Sequence, residues 1–116
     1  MQAPAPEPLR SLAELVADPE RQFVVYGCLR GLQHGRTRQG RPFVDLTLAD
    51  SSRVVAGKIW DDAPEAMEAA RTLARGAIVK LLCRAEVYQG ALQLGVRKLR
   101  AAGHGEVDLT TILGDG

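Results

Sequence analysis

Aromatic side chains are scarce in this sequence: Phe23, Tyr26, Phe43, Trp60 and Tyr88 are the full set among 116 residues. Each one that reaches the surface therefore marks a place where a flat partner could stack. Cysteine is sparser still. Cys28 and Cys83 lie far apart in apolar, strand-like runs, and without a Cys-x-x-Cys pair neither a zinc knuckle nor a redox motif is supported. They read as two small buried hydrophobes. Histidine is limited to His34 and His104, too few for a two-metal hydrolase site. No nucleophile–base pair, carboxylate cluster or phosphate-cradling Gly-x-x-x-x-Gly-Lys-Ser/Thr loop is present, so a non-catalytic chain without cofactor or metal is expected. No apolar run approaches the ~20 residues that span a bilayer. The opening MQAPAPEPLR lacks the charged-then-apolar layout of a signal peptide, which makes the cytoplasm the default address.

What is present is ordinary in bulk. Hydrophobic residues make up 46% and charged residues 25%, which places the chain among soluble globular proteins with one domain and one core. Net charge is only +1, but it is unevenly spread. Acids collect before Arg21 and between Asp61 and Glu68, whereas the stretch QHGRTRQGR carries Arg36, Arg38 and Arg41 with no acid. Such a local imbalance can steer an anionic ligand toward a near-neutral protein.

After that basic stretch, Val44, Leu46 and Leu48 alternate with Phe43, Asp45 and Thr47, the period-two signature of a strand with one buried face. A first strand is read over Gln22 to Leu32, where Gly27 and Gly31 suggest bulges or barrel corners. The second runs from Pro42 to Ala49, Asp50-Ser51-Ser52 turns the chain, and the third covers Arg53 to Trp60. Asp62 and Glu65 stand at capping-box spacing before a helix with Met67, Ala70, Leu73 and Ala74 on one stripe, ended by Gly76. The fourth strand runs from Ala77 to Tyr88, and Gln89-Gly90 turns it into a fifth with Leu92, Leu94 and Val96 inward. Ahead of all these, Leu9, Leu12, Leu15 and Val16 predict a short amphipathic helix. Five strands with a helix between the third and fourth match an all-β, five-stranded OB-fold Greek-key barrel; an open α+β sheet of the same elements is the competitor. Residues 1–8 are expected to be a disordered tail, 9–100 the OB-fold domain, and 101–116 a tail or linker with one last turn of helix around Asp108 to Leu113.

Several of these segments carry a family pattern. Gly40-Arg41-Pro42-Phe43, Leu46-x-Leu48-x-Asp50, Ile59-Trp60-Asp61 and Tyr88-x-Gly90-x-x-Gln93-Leu94 resemble the nucleic-acid-binding OB-fold domain of YhaM-type bacterial 3'-5' exoribonucleases. The resemblance runs from about Arg21 to Arg100. It implies an RNA-binding module that precedes a metal-dependent HD hydrolase domain, with RNA favoured over DNA on this ground alone. Three departures stand out. Ser52-Arg53 replaces the usual glycine of the turn, Cys83 stands where glycine is usual, and the binding module alone, without the HD domain, is what these 116 residues are expected to form.

In an OB-fold the second and third strands, with the loops joining strands one–two and four–five, form the usual groove. Arg36, Arg38 and Arg41 are the candidates for phosphate contacts, extended along the sheet by Lys58, Arg53 and Arg84. Phe43 is placed outside for base stacking, against the reading that it lies under the basic loop as a lid. Trp60 either stacks or is capped by the following helix; Tyr88 and Gln93 flank the last hairpin as binding candidates, and Tyr88 either braces the turn or touches ligand. The expected function is capture of single-stranded RNA or DNA as part of a nuclease-like system. The alternative is a protein-interaction or oligomerisation module, for which Ile78 and Leu82 lie in the outward phase.

Overall fold

Alternation in PFVDLTLA produces what period two requires: Val44, Leu46 and Leu48 are buried, whereas Asp45 is exposed and Phe43 and Thr47 are half-buried on the other face. In the computed structural model, which describes residues 5–114, this strand is β3 (Pro42–Ala49). It lies between β2 (Asp18–Arg36) and β4 (Val54–Trp60). Helix α1 (Pro64–Ala70), β5 (Ile78–Tyr88), β6 (Ala91–Ala101) and α2 (Leu109–Leu113) follow, and a two-residue strand β1 (Glu7–Pro8) precedes β2. The order across the sheet is β1-β2-β3-β4-β6-β5, and β5 pairs back onto β2. The five long strands β2–β6 thus have the order of an OB-fold and the closing pairing that an open α+β sheet lacks.

β2 is long because it serves both halves of the barrel. Its Phe23–Cys28 part pairs with β5 and its Cys28–Arg36 part with β3, with a register shift between Leu29 and Gly31. A bulge at that place bends the strand from one partner to the other. Before the bulge, Gly27 lets Leu48 of β3 pack closely against β2, since a Cβ there would stand 2.6 Å from Leu48 Cγ. Phe23, Leu29, Leu48, Ile59, Leu81 and Leu94 fill one core, with Leu12 and Leu15 packed into it from the N-terminal side and Ala66 and Ala70 from α1. Cys28 and Cys83 are free, buried thiols, and burial pushes Cys83 up to about 12.

The structure departs from the sequence expectations mainly at element ends, and α1 starts at an Ala63 N-cap with Pro64 at its first position rather than at an Asp62–Glu65 capping box. The helix expected over Leu9 to Val16 is a single 3-10 turn, Leu12–Glu14. Backbone groups on both sides are already committed, Leu9 N–H to Val24 O at 3.0 Å and Leu12 N–H to Asp50 Oδ2 at 2.8 Å, which leaves room for one turn only. The tail is ordered from Glu7: Glu7 and Pro8 pair in parallel with Phe23 and Val24, and Arg21 bridges to Glu7. Met1–Pro4 lie outside the described residues. Helix α1 ends at Ala70 rather than running to Gly76: the N–H groups of Arg71, Thr72 and Leu73 bond carbonyls three residues back, and beyond them Gly76 N–H bonds Leu29 O at 2.7 Å and Leu29 N–H bonds Ala77 O at 2.9 Å. Those two bonds draw the chain back onto β2. Lastly, β2 continues to Arg36, so half of the expected basic loop is strand.

The C-terminal segment docks. Ile112 is buried, and Ser51 donates its backbone N–H (3.3 Å) and its hydroxyl (2.8 Å) to Thr111 O. Asp108 caps α2 by accepting from Thr110 N–H at 3.0 Å. Among the described residues no helix is long and apolar enough to cross a membrane.

Candidate nucleic-acid interface

Strand register arranges the outward side chains in rungs across β2, β3, β4, β6 and β5. One rung is Gln33–Asp45–Lys58–Gly95–Arg84. The next toward the β3–β4 turn is Gly31–Thr47–Ala56–Gln93–Glu86. In the other direction Gly35, Phe43 and Trp60 stand side by side. The sequence-predicted Phe43, Lys58, Trp60, Arg84 and Gln93 are therefore neighbours on one face.

Phe43 and Trp60 form a cross-strand pair with ring centroids 5.9 Å apart and planes tilted by 52°. Trp60 is 43% exposed, and the helix after it does not cover it. Phe43 leans over Gly35: a Cβ on Gly35 would lie 2.7 Å from Phe43 Cζ, so only glycine admits the ring there. The Lys58 ammonium lies 4.6 Å from the Phe43 centroid and 4.9 Å from that of Trp60, with Asp45 Oδ1 at 3.3 Å.

Beyond these rings the β2–β3 hairpin ends in a tight tip. Gly40 N–H bonds Thr37 O at 2.9 Å and Thr37 N–H bonds Arg41 O at 2.8 Å, with Gly40 at φ +83°. Arg36 reaches back to Gly40 O at 2.8 Å. Arg41 makes a two-pronged bridge to Asp61 at 2.9 and 2.6 Å. That hydrogen bond and charge pair raise Arg41 and hold Asp61 below the usual carboxylate range. Arg38 and Arg84 are exposed and have no ion pair among the described residues. Tyr88, 56% exposed, stands beside the Gln89-Gly90 turn, whose φ values of 51° and 80° are those of a type I′ hairpin.

Arg53 is not brought into this group. It sits at the β3–β4 turn, seven residues along β4 from Trp60, and points Nη1 to Leu15 O at 3.4 Å. His34 is exposed on β2, opposite Val44. Four contributors escaped the sequence reading: Asp45 and Asp61, the acids that hold Lys58 and Arg41; Gly35, which seats Phe43; and Arg97. Arg97 binds Asp62 Oδ1 at 2.9 Å, anchoring the segment after Trp60 to β6. The charged pairs join residues 13 to 35 positions apart, so no local motif announces them. Only Gly35 left a trace, as a glycine beside the basic residues. Among the described residues no group of three His, Cys, Asp or Glu could hold a metal ion.

No family model matches the chain. It is 32% identical over 85 residues to the 3'-5' exoribonuclease YhaM of Geobacillus sp., a match covering 73% of this chain and 25% of that protein. The corresponding enzyme of Bacillus velezensis is 35% identical over 97 residues, 82% of this chain and 28% of the relative. The chain thus spans about a quarter of the length of these curated relatives. Among solved structures, the second OB-fold domain of replication protein A from Methanococcus maripaludis aligns with a TM-score of 0.61 at 15% identity, covering 82% of this chain and 94% of that one. A mitochondrial single-stranded DNA binding protein from S. cerevisiae aligns at 0.56 and 13% identity, over 69% and 92% of the two chains. Asparaginyl-tRNA synthetase from Pyrococcus horikoshii does so at 0.59 and 19%, over 78% and 21%. At such identities the likeness is one of fold. The chain is an OB-fold domain that resembles the YhaM exoribonucleases over most of its own length.

Proposed function

We propose that this domain binds single-stranded nucleic acid, RNA in preference to DNA, as the non-catalytic substrate-binding module of a cytoplasmic nuclease-like system. The observation that carries the reading is the outward Phe43–Trp60 pair beside a hairpin tip bearing Arg36, Arg38 and Arg41. Aromatic faces accept any base, and guanidinium groups beside them neutralise the phosphates that follow. Arg84 and Gln93 extend the path across β6 and β5 toward Tyr88. Two relatives bear the name exoribonuclease, which favours RNA, and a structural neighbour is a replication protein A heterotrimer bound to single-stranded DNA. An HD-type hydrolase domain is the partner that the resemblance to YhaM implies.

The test is fluorescence anisotropy with labelled single-stranded RNA and DNA oligomers across a salt series. Binding should weaken steeply with salt, and Phe43→Ala should cost about 1–3 kcal/mol. Replacing Arg36, Arg38 and Arg41 together by Ala should weaken binding and flatten the salt slope. The RNA should be recovered uncut. Absence of binding at low salt sinks the proposal and transfers the bet to a protein-interaction module, to be pursued by pull-down.

A further inference from the structure

Lys58 looked from the sequence like one more phosphate contact, but its surroundings suit a different task. Its ammonium already has two ring faces within 4.9 Å and a carboxylate oxygen at 3.3 Å. The side chain is only 20% exposed, against 64% for Arg41 at the hairpin tip. Gly95 faces it from β6 without a side chain, and a Cβ there would meet nothing within 4 Å. The lysine is therefore held from the aromatic side, by Phe43, Trp60 and Asp45. A phosphate would have to draw it away from all three.

We propose that Lys58 is a positioning residue: its ammonium, wedged between Phe43, Trp60 and Asp45, sets the 5.9 Å, tilted arrangement of the two stacking rings and does not neutralise phosphate. This rests on the binding function proposed above. A cation attracted to both ring faces at once fixes their mutual tilt, which ring–ring contact alone leaves soft. The phosphate charge is then met by Arg38, Arg84 and the remaining tip arginines.

The experiment compares wild type, Lys58→Met and Lys58→Arg. Trp60 is the sole tryptophan of the chain, so its emission reports this one site. In the free protein, Lys58→Met should shift Trp60 emission and Lys58→Arg should restore most of it. Binding of labelled single-stranded RNA should weaken about 3- to 10-fold in the Met variant, with the slope of log K against log salt unchanged. A slope shallower by about 0.7, the signature of one lost phosphate contact on a single strand, overturns the proposal whatever the emission does. Unchanged Trp60 emission in Lys58→Met overturns it as well. If wild type itself binds no oligomer, the binding function fails, and the emission of the unbound variants still decides the role of Lys58.

Discussion

Arg41 reaches from the tip of the β2–β3 hairpin to Asp61, the residue after Trp60, and grips both carboxylate oxygens, Nε to Oδ2 at 2.9 Å and Nη2 to Oδ1 at 2.6 Å. One of the three tip charges is thereby matched from within the protein, and an acid stands at the edge of the proposed path. Asp61→Asn should free the guanidinium for phosphate. Affinity for single-stranded RNA at low salt is expected to rise several-fold, with a salt slope steeper by up to about 0.7. Weaker binding in this variant, measured by anisotropy, would mean that the pair serves chiefly to hold the hairpin in place.

Gly35 and Gly27 make opposite predictions although both meet a side chain closely. Gly35→Ala pushes against Cζ of Phe43, the far end of a surface ring that can swing away. Stability should change by less than about 1 kcal/mol, while binding weakens because the ring has moved. Gly27→Ala pushes against Leu48 Cγ at 2.6 Å inside the core, where nothing can yield without repacking. A loss of about 1–3 kcal/mol is expected there, with the affinity of the folded fraction unaltered. Urea denaturation and anisotropy on both variants separate the two outcomes.

Asp50 is a buried carboxylate that ties three segments together. Oδ2 accepts from Leu12 N–H at 2.8 Å, and Oδ1 accepts from the Ser52 N–H at 2.8 Å, the Ser52 hydroxyl at 2.7 Å and the Arg53 N–H at 3.0 Å. Asp50→Ala leaves the buried Leu12 N–H without a partner and should cost about 2–3 kcal/mol. The turn lies some 20 Å along β3 from Phe43, so oligonucleotide affinity should be unchanged. A variant as stable as wild type would show that water replaces the carboxylate.

Glu106 supplies the pH dependence. It accepts from Arg100 at 2.7 and 2.6 Å, from the Tyr26 hydroxyl at 2.6 Å and from Gly103 N–H at 2.7 Å. Arg100 first, then Tyr26 and the Gly103 amide, hold its carboxyl well below the usual carboxylate range. A carboxylate depressed in the folded state adds stability above its unfolded pKa of about 4.3 and loses it as pH falls through the folded value. The stability gap between wild type and Glu106→Gln should therefore be full at pH 7 and shrink steadily below about pH 4. Denaturation midpoints with the same gap at pH 3 and pH 7 would contradict this.

The legible part of the fold was the part written in periods. Val44, Leu46 and Leu48 in one phase, and Leu81, Cys83 and Ala85 in another run, mark their buried faces by alternation alone. The same alternation placed Phe43 and Trp60 outward together. Element ends were less legible, because they depend on partners. β2 runs on to Arg36 because β3 is there to pair with it, and the segment after α1 is drawn onto β2 because Leu29 bonds the backbone of Gly76 and Ala77.

Strand phase, turn chemistry and the cluster of arginines are properties of neighbouring residues and are legible in the chain order: five strands, the Gln89-Gly90 hairpin, and a basic tip beside an outward aromatic. Register is a property of the closed barrel. It takes the folded barrel to bring Lys58 against Phe43, Trp60 and Asp45, to bind Arg41 to Asp61, and to set Arg53 apart from the rest. A charge acts over a few ångströms in space, and the chain order does not say which acid will be that near.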